Sequence, residues 1–225
     1  MKINIQQEER IINLTNFLWE QIIVVNCNLD IILLLSKMKK NYPEAMALSP
    51  AFYSLTYKSS IESCLSIITR LYDKNGKSTI ISLLEWCEKN PEAIVAIQNK
   101  VGNKQITLNH FKSVMVEGRK EFNSMLPKLL NLTKLRDKVI SHNDSKSLDS
   151  LDKVINENPI YFLDIKYLID FASEFTKCII TYLTTVVRNQ HAKNISDLEI
   201  TLKKVDNVLK KDTQKRKIDN SQLFK

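Results

Sequence analysis

Only three glycines and five prolines punctuate 225 residues, while apolar side chains return at steps of three and four over stretches far longer than a strand. A chain with so few places to reverse direction is built from long elements. Few segments alternate with the period of two that a half-buried strand requires. An all-α fold is therefore expected. With 44% hydrophobic residues, the chain can bury one large core.

Three dipeptides, Ser49-Pro50, Asn90-Pro91 and Asn158-Pro159, set a residue able to cap orphan amides before a proline suited to the first helical position. Each reads as a helix start. The first helix spans about Gln6 to Lys39, with a stripe of Ile11, Leu14, Leu18, Ile22, Val25, Leu29 and Leu33. Asn41-Tyr42-Pro43 ends it. The second spans about Pro50 to Tyr72, with Leu55, Ile61, Leu65, Ile68 and Leu71 near one face, and closes in a glycine turn over Asp73 to Ser78. Shorter helices cover about Thr79 to Glu88 and Pro91 to Val101. Helix returns from about Thr107 to His142, with a fresh start at Pro127, because Leu129, Leu132, Leu135 and Val139 form an unbroken stripe beyond it. Another helix runs from about Pro159 to Asn189. The capping box Ser196 to Glu199 opens the last, whose stripe Leu198, Leu202, Val205, Leu209 packs on the body or on another chain. No internal repeat or composition shift marks a second core, so residues 1–192 read as one helical domain and 193–225 as a C-terminal helix and basic tail.

Several chemistries find no support. Cys27, Cys64, Cys87 and Cys178 form no close pair, so neither a zinc knuckle nor a redox couple is signalled, and they read as small buried hydrophobes in a reducing compartment. The N-terminus lacks the apolar core and cleavage site of a signal peptide, and the most apolar runs are too short or too interrupted by Asn and Asp to span a bilayer. A soluble cytoplasmic protein without a membrane partner is expected. His110 and His191 lack ligand-spaced partners, and no phosphate loop, nucleophile elbow or metal-binding cluster appears, so neither metal nor cofactor is expected. Trp19 and Trp86 read as core or interface anchors. Phe52, Tyr53, Tyr57, Tyr161, Phe162, Tyr167, Phe171 and Phe175 recur at helical spacing, which favours packing over a base-stacking platform.

The net charge is +8, and part of it is local: Lys203, Lys204, Lys210, Lys211, Lys215, Arg216 and Lys217 face only Asp206 and Asp212 within Lys203 to Lys217. This run is either a solvated face or a contact for a polyanion such as RNA.

The stretch KLRDKVISHND, Lys134 to Asp144, pairs an arginine with a histidine. Six positions on an ideal helix amount to about 600° and 9 Å, so Arg136 and His142 would project about 120° apart. To act on one phosphate, either the helix ends near Ser141 and the backbone turns, or two copies contribute groups. The residue types suit RNA cleavage. A histidine with a reference pKa of about 6.5 exchanges a proton with a 2′-hydroxyl or a leaving oxygen near neutrality. An arginine holds a phosphate through paired hydrogen bonds as charge builds in the transition state. Neither role needs a metal, and Asp137 and Asp144 can orient the histidine or the helix end. The same residues also suit a helix terminus, where a histidine is favoured by the dipole.

The late helix ending in LRDKVISHND resembles the HEPN superfamily, whose hallmark is Arg, about four to six residues, then His, with a polar residue often directly after the arginine. Arg136, Asp137 and His142 fit that pattern. The stretch Ser54 to Asn90, with its helix ending in Arg-Leu-Tyr-Asp before a polar loop, resembles the AbiU2-type HEPN proteins associated with abortive phage infection. The resemblance implies an all-α, HEPN-like helical bundle with long antiparallel helices and a C-terminal helical extension. It also implies a homodimeric, metal-independent endoribonuclease, a toxin-like effector with both motifs facing one cleft at the dimer interface. In that reading Arg136 stabilises the scissile phosphate, His142 transfers protons and Asp137 positions one of them. Arg70 and Asp73, with Asn143 and Asp144, are candidates for the same cleft, although Arg70 and Asp73 equally suit a surface ion pair. Some HEPN toxins carry a tyrosine two places after the histidine, which an antitoxin modifies; here that position is Asp144. That mode of neutralisation is unsupported, and a regulatory protein or other antitoxin remains an expected partner. The alternative is a noncatalytic helical dimer that binds RNA or a partner protein through its basic extension and dimer cleft.

Overall fold

The structure, a computed structural model, describes residues 5–102, 106–140, 161–184, 186, 188–189 and 196–223, except the side chains of residue 135, residues 137–140 and residues 214–223. These residues form eight helices and no strand: α1 (Ile5–Asn41), α2 (Pro43–Ala47), α3 (Pro50–Leu71), α4 (Ile80–Lys89), α5 (Pro91–Val101), α6 (Leu108–Ile140), α7 (Phe162–Leu183) and α8 (Ser196–Leu223). The all-α expectation holds. The chain divides into two compact units, Met1–Asn26 with Cys64–Gln190, and Cys27–Ser63 with His191–Lys225. The division at residue 192 follows chain order, whereas these units are spatial, and both α1 and α3 contribute to each.

The first unit is organised by antiparallel pairs. Gln21 of α1 accepts a hydrogen bond from Arg70 at 3.1 Å, and Val25 accepts one from the Cys64 thiol at 3.7 Å, so α1 and α3 run in opposite directions. α6 and α7 do likewise, with Phe111 set edge-on to Tyr182, Gly118 beside Phe175, and Lys128 paired with Asp164. A Cβ at Gly118 would lie 3.4 Å from the Phe175 ring, so the missing side chain lets that ring lie close to the α6 backbone. Leu18, Trp19, Ile22, Ile68, Leu84 and Phe111 are buried in this core. Each such side chain removed from water contributes about 1.5–3 kcal/mol before the entropy of ordering it is counted.

Helix boundaries follow local chemistry. Thr79 caps α4 by accepting from the Ser82 N–H at 3.1 Å, while the Ser82 hydroxyl accepts from the Thr79 N–H at 2.8 Å. Pro50 and Pro91 open α3 and α5 as expected. Asn90, however, does not cap α5. Its carboxamide donates back to the Trp86 carbonyl at 2.9 Å and closes α4, because the end of α4 has its own orphan acceptors one residue earlier. Gly102 ends α5 with φ 76°, a left-handed conformation that glycine adopts without strain. Asn158-Pro159 lies outside the described residues, and α7 is first seen at Phe162, where the Asp164 carboxylate accepts the Tyr161 N–H at 3.0 Å. It ends at Leu183, short of the expected Asn189, as Thr184 turns extended at the head of a β-branched run.

The expected break at Pro127 does not occur. α6 runs unbroken through it because Phe111, Met115, Phe122, Met125 and Leu132 form one buried stripe on both sides, and Pro127 itself faces solvent, where water can serve the carbonyl it leaves unbonded.

In the second unit Leu34, Met38, Ala45 and Leu202 form a small core, with Tyr42, Met46, Tyr53, Leu198 and Val205 packed against it. The expected stripe member Leu33 is 47% exposed, since the partners in this unit meet the adjacent face at Leu34 and Met38. Leu55 is 66% exposed for the same kind of reason: nothing described covers its face of α3. Of the aromatic series, Phe171 and Phe175 are core, whereas Phe52, Tyr57, Tyr161, Phe162 and Tyr167 are exposed, so helical spacing overstated their burial. Trp19 is buried and Trp86 half-buried. Contrary to the run-length argument, α1 is long and apolar enough by composition to cross a membrane, because Asn26, Asn28 and Asp30 interrupt its apolar sequence without ending the helix; 44% of that window is buried within the fold.

Two outcomes are expected. Pro127→Ala restores a helical N–H and removes a ring clash, so it raises stability by about 1–3 kcal/mol in thermal unfolding followed by circular dichroism; a helix that restarted there would gain nothing. The Asp164 carboxyl is held below its ordinary 3.8 first by the hydrogen bond from Lys128 and then by the Tyr161 N–H. Its stabilisation is complete above pH 3.8 and lost as pH falls through the lowered value. Asp164→Asn therefore lowers the melting temperature at pH 7, and the gap from the unmodified chain closes in acid below that range.

Candidate functional site

α3 ends one residue before Tyr72, whose ring is buried and stacked on Phe122 of α6 at 6.3 Å. Its hydroxyl donates to the Leu168 carbonyl of α7 at 2.6 Å. A buried phenol left without such an acceptor would destabilise the core, so this bond places the end of α3 against both α6 and α7. Burial, reinforced by Glu121, pushes the phenol's pKa well up and keeps it a neutral donor.

The chain then turns. The Asp73 carboxylate accepts the Asn75 N–H at 3.0 Å and the Gly76 N–H reaches the Asp73 carbonyl at 3.3 Å, a local network of the kind short polar side chains build in turns. Gly76 is not left-handed, as the expected glycine turn would suggest; a Cβ there would lie 2.5 Å from the Thr79 methyl, so glycine serves close approach.

This turn faces α6 across a cleft of about 260 Å³. Its polar rim is Thr69, Asp73, Lys74, Asn75, Thr133 and Arg136, and its apolar wall includes Ile81, Phe122, Leu126, Leu129 and Leu130. Two cations and one carboxylate therefore border it. Arg136 is half-buried near the end of α6, on the same side as Thr133 and Leu129, three and seven positions earlier.

The structure thus brings Arg136 and Asp73 to one cleft across 63 positions of sequence, as 136 less 73. Arg70 is not among its lining residues: it is exposed and donates to Gln21 of α1 rather than pairing with Asp73. α3 ends at Leu71, between the two. The Asp137 side chain and His142, Asn143 and Asp144 lie outside the described residues, as do His191 and the side chains of Lys215, Arg216 and Lys217. Lys203, Lys204, Lys210 and Lys211 are exposed on α8. Lys210 pairs with the buried Asp206 at 2.6 Å, which raises its pKa. Thr69, Lys74, Asn75 and Thr133 were not foreseen; the only hint was a polar turn closing a helix with an apolar face.

A larger cavity of about 730 Å³ in the second unit is bordered by Leu35, Lys39, Met46, Tyr53 and Tyr57, with no carboxylate or imidazole among the described residues that line it, and so offers less acid–base chemistry. The cysteines are free thiols. Cys64 and Cys87 are buried as expected, whereas Cys27 and Cys178 are only partly so. Burial pushes the Cys64 thiol up to about 12 and raises Cys87 as well, which disfavours the nucleophilic thiolate.

The all-α architecture is that expected of a HEPN-like helical domain. The family model described as AbiU2 matches residues 8–200, from α1 into the first turns of α8, and the chain is a member of this AbiU2 family of HEPN domains. No curated protein and no solved structure matches it.

Because Tyr72 carries the turn, Tyr72→Phe is expected to lower stability by about 1 kcal/mol through loss of one buried hydrogen bond, as measured by urea denaturation.

Proposed function

We propose that the protein is a metal-independent endoribonuclease of the abortive-infection type, acting on RNA at a composite site formed by two copies of the chain. The support is the family match together with the position of Arg136: a guanidinium at the rim of a cleft, six residues before a histidine, near the end of a long helix. In this reading His142 removes the proton of a ribose 2′-hydroxyl, the freed oxygen bonds to phosphorus, and the bond from phosphorus to the 5′-oxygen breaks. That leaving oxygen takes a proton from the equivalent histidine of the second copy, giving a 2′,3′-cyclic phosphate. Arg136 neutralises the charge that builds on the phosphoryl oxygens, and Asp137 orients one of the two groups. The second copy answers the geometric difficulty that a single straight helix directs positions 136 and 142 about 120° apart.

The exposed lysines Lys203, Lys204 and Lys211 of α8 favour a second reading, a noncatalytic module that binds RNA or a protein partner. One experiment separates the two. Purified chain is incubated with RNA and with DNA of the same sequence in EDTA. The nuclease reading expects RNA to be cut and DNA, which lacks the attacking hydroxyl, to survive. His142→Ala should slow cutting by about 10²–10⁴-fold and Arg136→Ala by about 10²–10³-fold, with unchanged circular dichroism. Full activity in either variant removes the assignment; loss of function only on truncation after about residue 194 favours the binding module.

A further inference from the structure

Around the cleft between the Asp73–Gly76 turn and α6 lie groups that the cleavage chemistry does not use. Among the described residues no hydrogen bond or ion pair occupies the Lys74 ammonium or the Asn75 carboxamide, yet both border the cleft. The Asp73 carboxylate spends one lone pair on the Asn75 N–H and keeps the rest. Opposite them the wall is aliphatic, with Leu130 55% exposed and Leu129 half-buried. A volume near 260 Å³ falls just below the roughly 300–1,000 Å³ of sites for drug-sized ligands, and suits one planar group rather than an extended molecule.

We propose that this cleft is a nucleotide subsite selective for guanine, in which the base lies on the Leu129–Leu130 wall, Asp73 reads its hydrogen-bonding edge, and Lys74 with Arg136 holds the adjoining phosphates. The inference rests on the nuclease reading for its RNA substrate, but not for the binding itself. A carboxylate only accepts hydrogen bonds, so it complements an edge with adjacent donors. Guanine presents two neighbouring N–H donors there; adenine and cytosine set a donor beside an acceptor, and uracil has one donor between two acceptors. The Asn75 amide can donate to the guanine carbonyl oxygen next to those donors. The charges match as well, since one carboxylate faces the donor edge while the Lys74 ammonium remains for phosphate.

The test uses the full chain and four ligands that it cannot cleave, the 5′-monophosphates of guanosine, adenosine, cytidine and uridine, with affinity measured by titration calorimetry. GMP should bind about tenfold more tightly than the other three. Asp73→Asn, whose side-chain oxygen can still accept the Asn75 N–H, should erase that preference while the melting temperature stays unchanged. Lys74→Ala should weaken all four by a similar factor and reduce the dependence on salt. Affinities within about twofold of one another, or a GMP preference that survives Asp73→Asn, would overturn the proposal. A chain that prefers GMP but leaves RNA intact supports the subsite while removing the nuclease; a chain that cuts RNA and shows no preference does the reverse.

Discussion

The bond from the Tyr72 hydroxyl to the Leu168 carbonyl, with the ring stacked on Phe122, ties α3, α6 and α7 together through a single side chain. Its consequence is larger than its energy, which is on the order of 1 kcal/mol. A phenol buried in an apolar core has few places where its proton can go, so the acceptor determines where the ring sits, and the ring determines where α3 stops. Asp73, Lys74 and Asn75 follow immediately. Their position opposite Arg136 is thus a product of core packing.

Proline shows what local chemistry can and cannot decide. Pro50 and Pro91 stand at the first position of their helices, where the N–H that proline lacks has no intrahelical partner to lose. Pro127 has the same missing N–H, yet the stripe from Phe122 and Met125 to Leu132 continues beneath it. Burying that stripe outweighs a cost of about 3 kcal/mol, and the proline's exposed setting lowers the cost further. Periodicity showed that these residues share a face, and with the boundary residues that was enough to establish α1, α3, α4 and α5 to within a few residues and the start of α8. It could not show which faces find partners. Phe171 and Phe175 meet α6, whereas Phe52 and Phe162 recur at similar spacing and remain exposed.

The candidate site was legible in the same partial way. Arg136 stood out because arginine followed by histidine near a helix end has a chemical meaning, and Asp73 because its helix matched the family. What joins them is the packing of the turn after α3 against α6, a long-range fact that no local pattern contains. Arg70 shows the same limit: its sequence position suits the cleft or a surface ion pair with Asp73 equally, and in the fold it donates to Gln21 of α1. Lys74 and Asn75 were hidden for the opposite reason, since a polar turn looks alike whether it faces a cleft or open water.

The basic C-terminal run illustrates how charge counting differs from charge presented to a partner. Leu202 of α8 is buried with Leu34, Met38 and Ala45, so the helix carrying these lysines is part of a packed core. Two contacts then consume charge within the unit. Lys210 pairs with Asp206, whose other oxygen is buried with no partner among the described residues, and Glu199 accepts from Lys37 at 2.7 Å. An approaching polyanion would have to compete for Lys210 with a carboxylate that has nowhere else to turn, and separating them would leave a buried charge uncompensated. Of the described lysines in that run, Lys203, Lys204 and Lys211 therefore carry the charge presented outward.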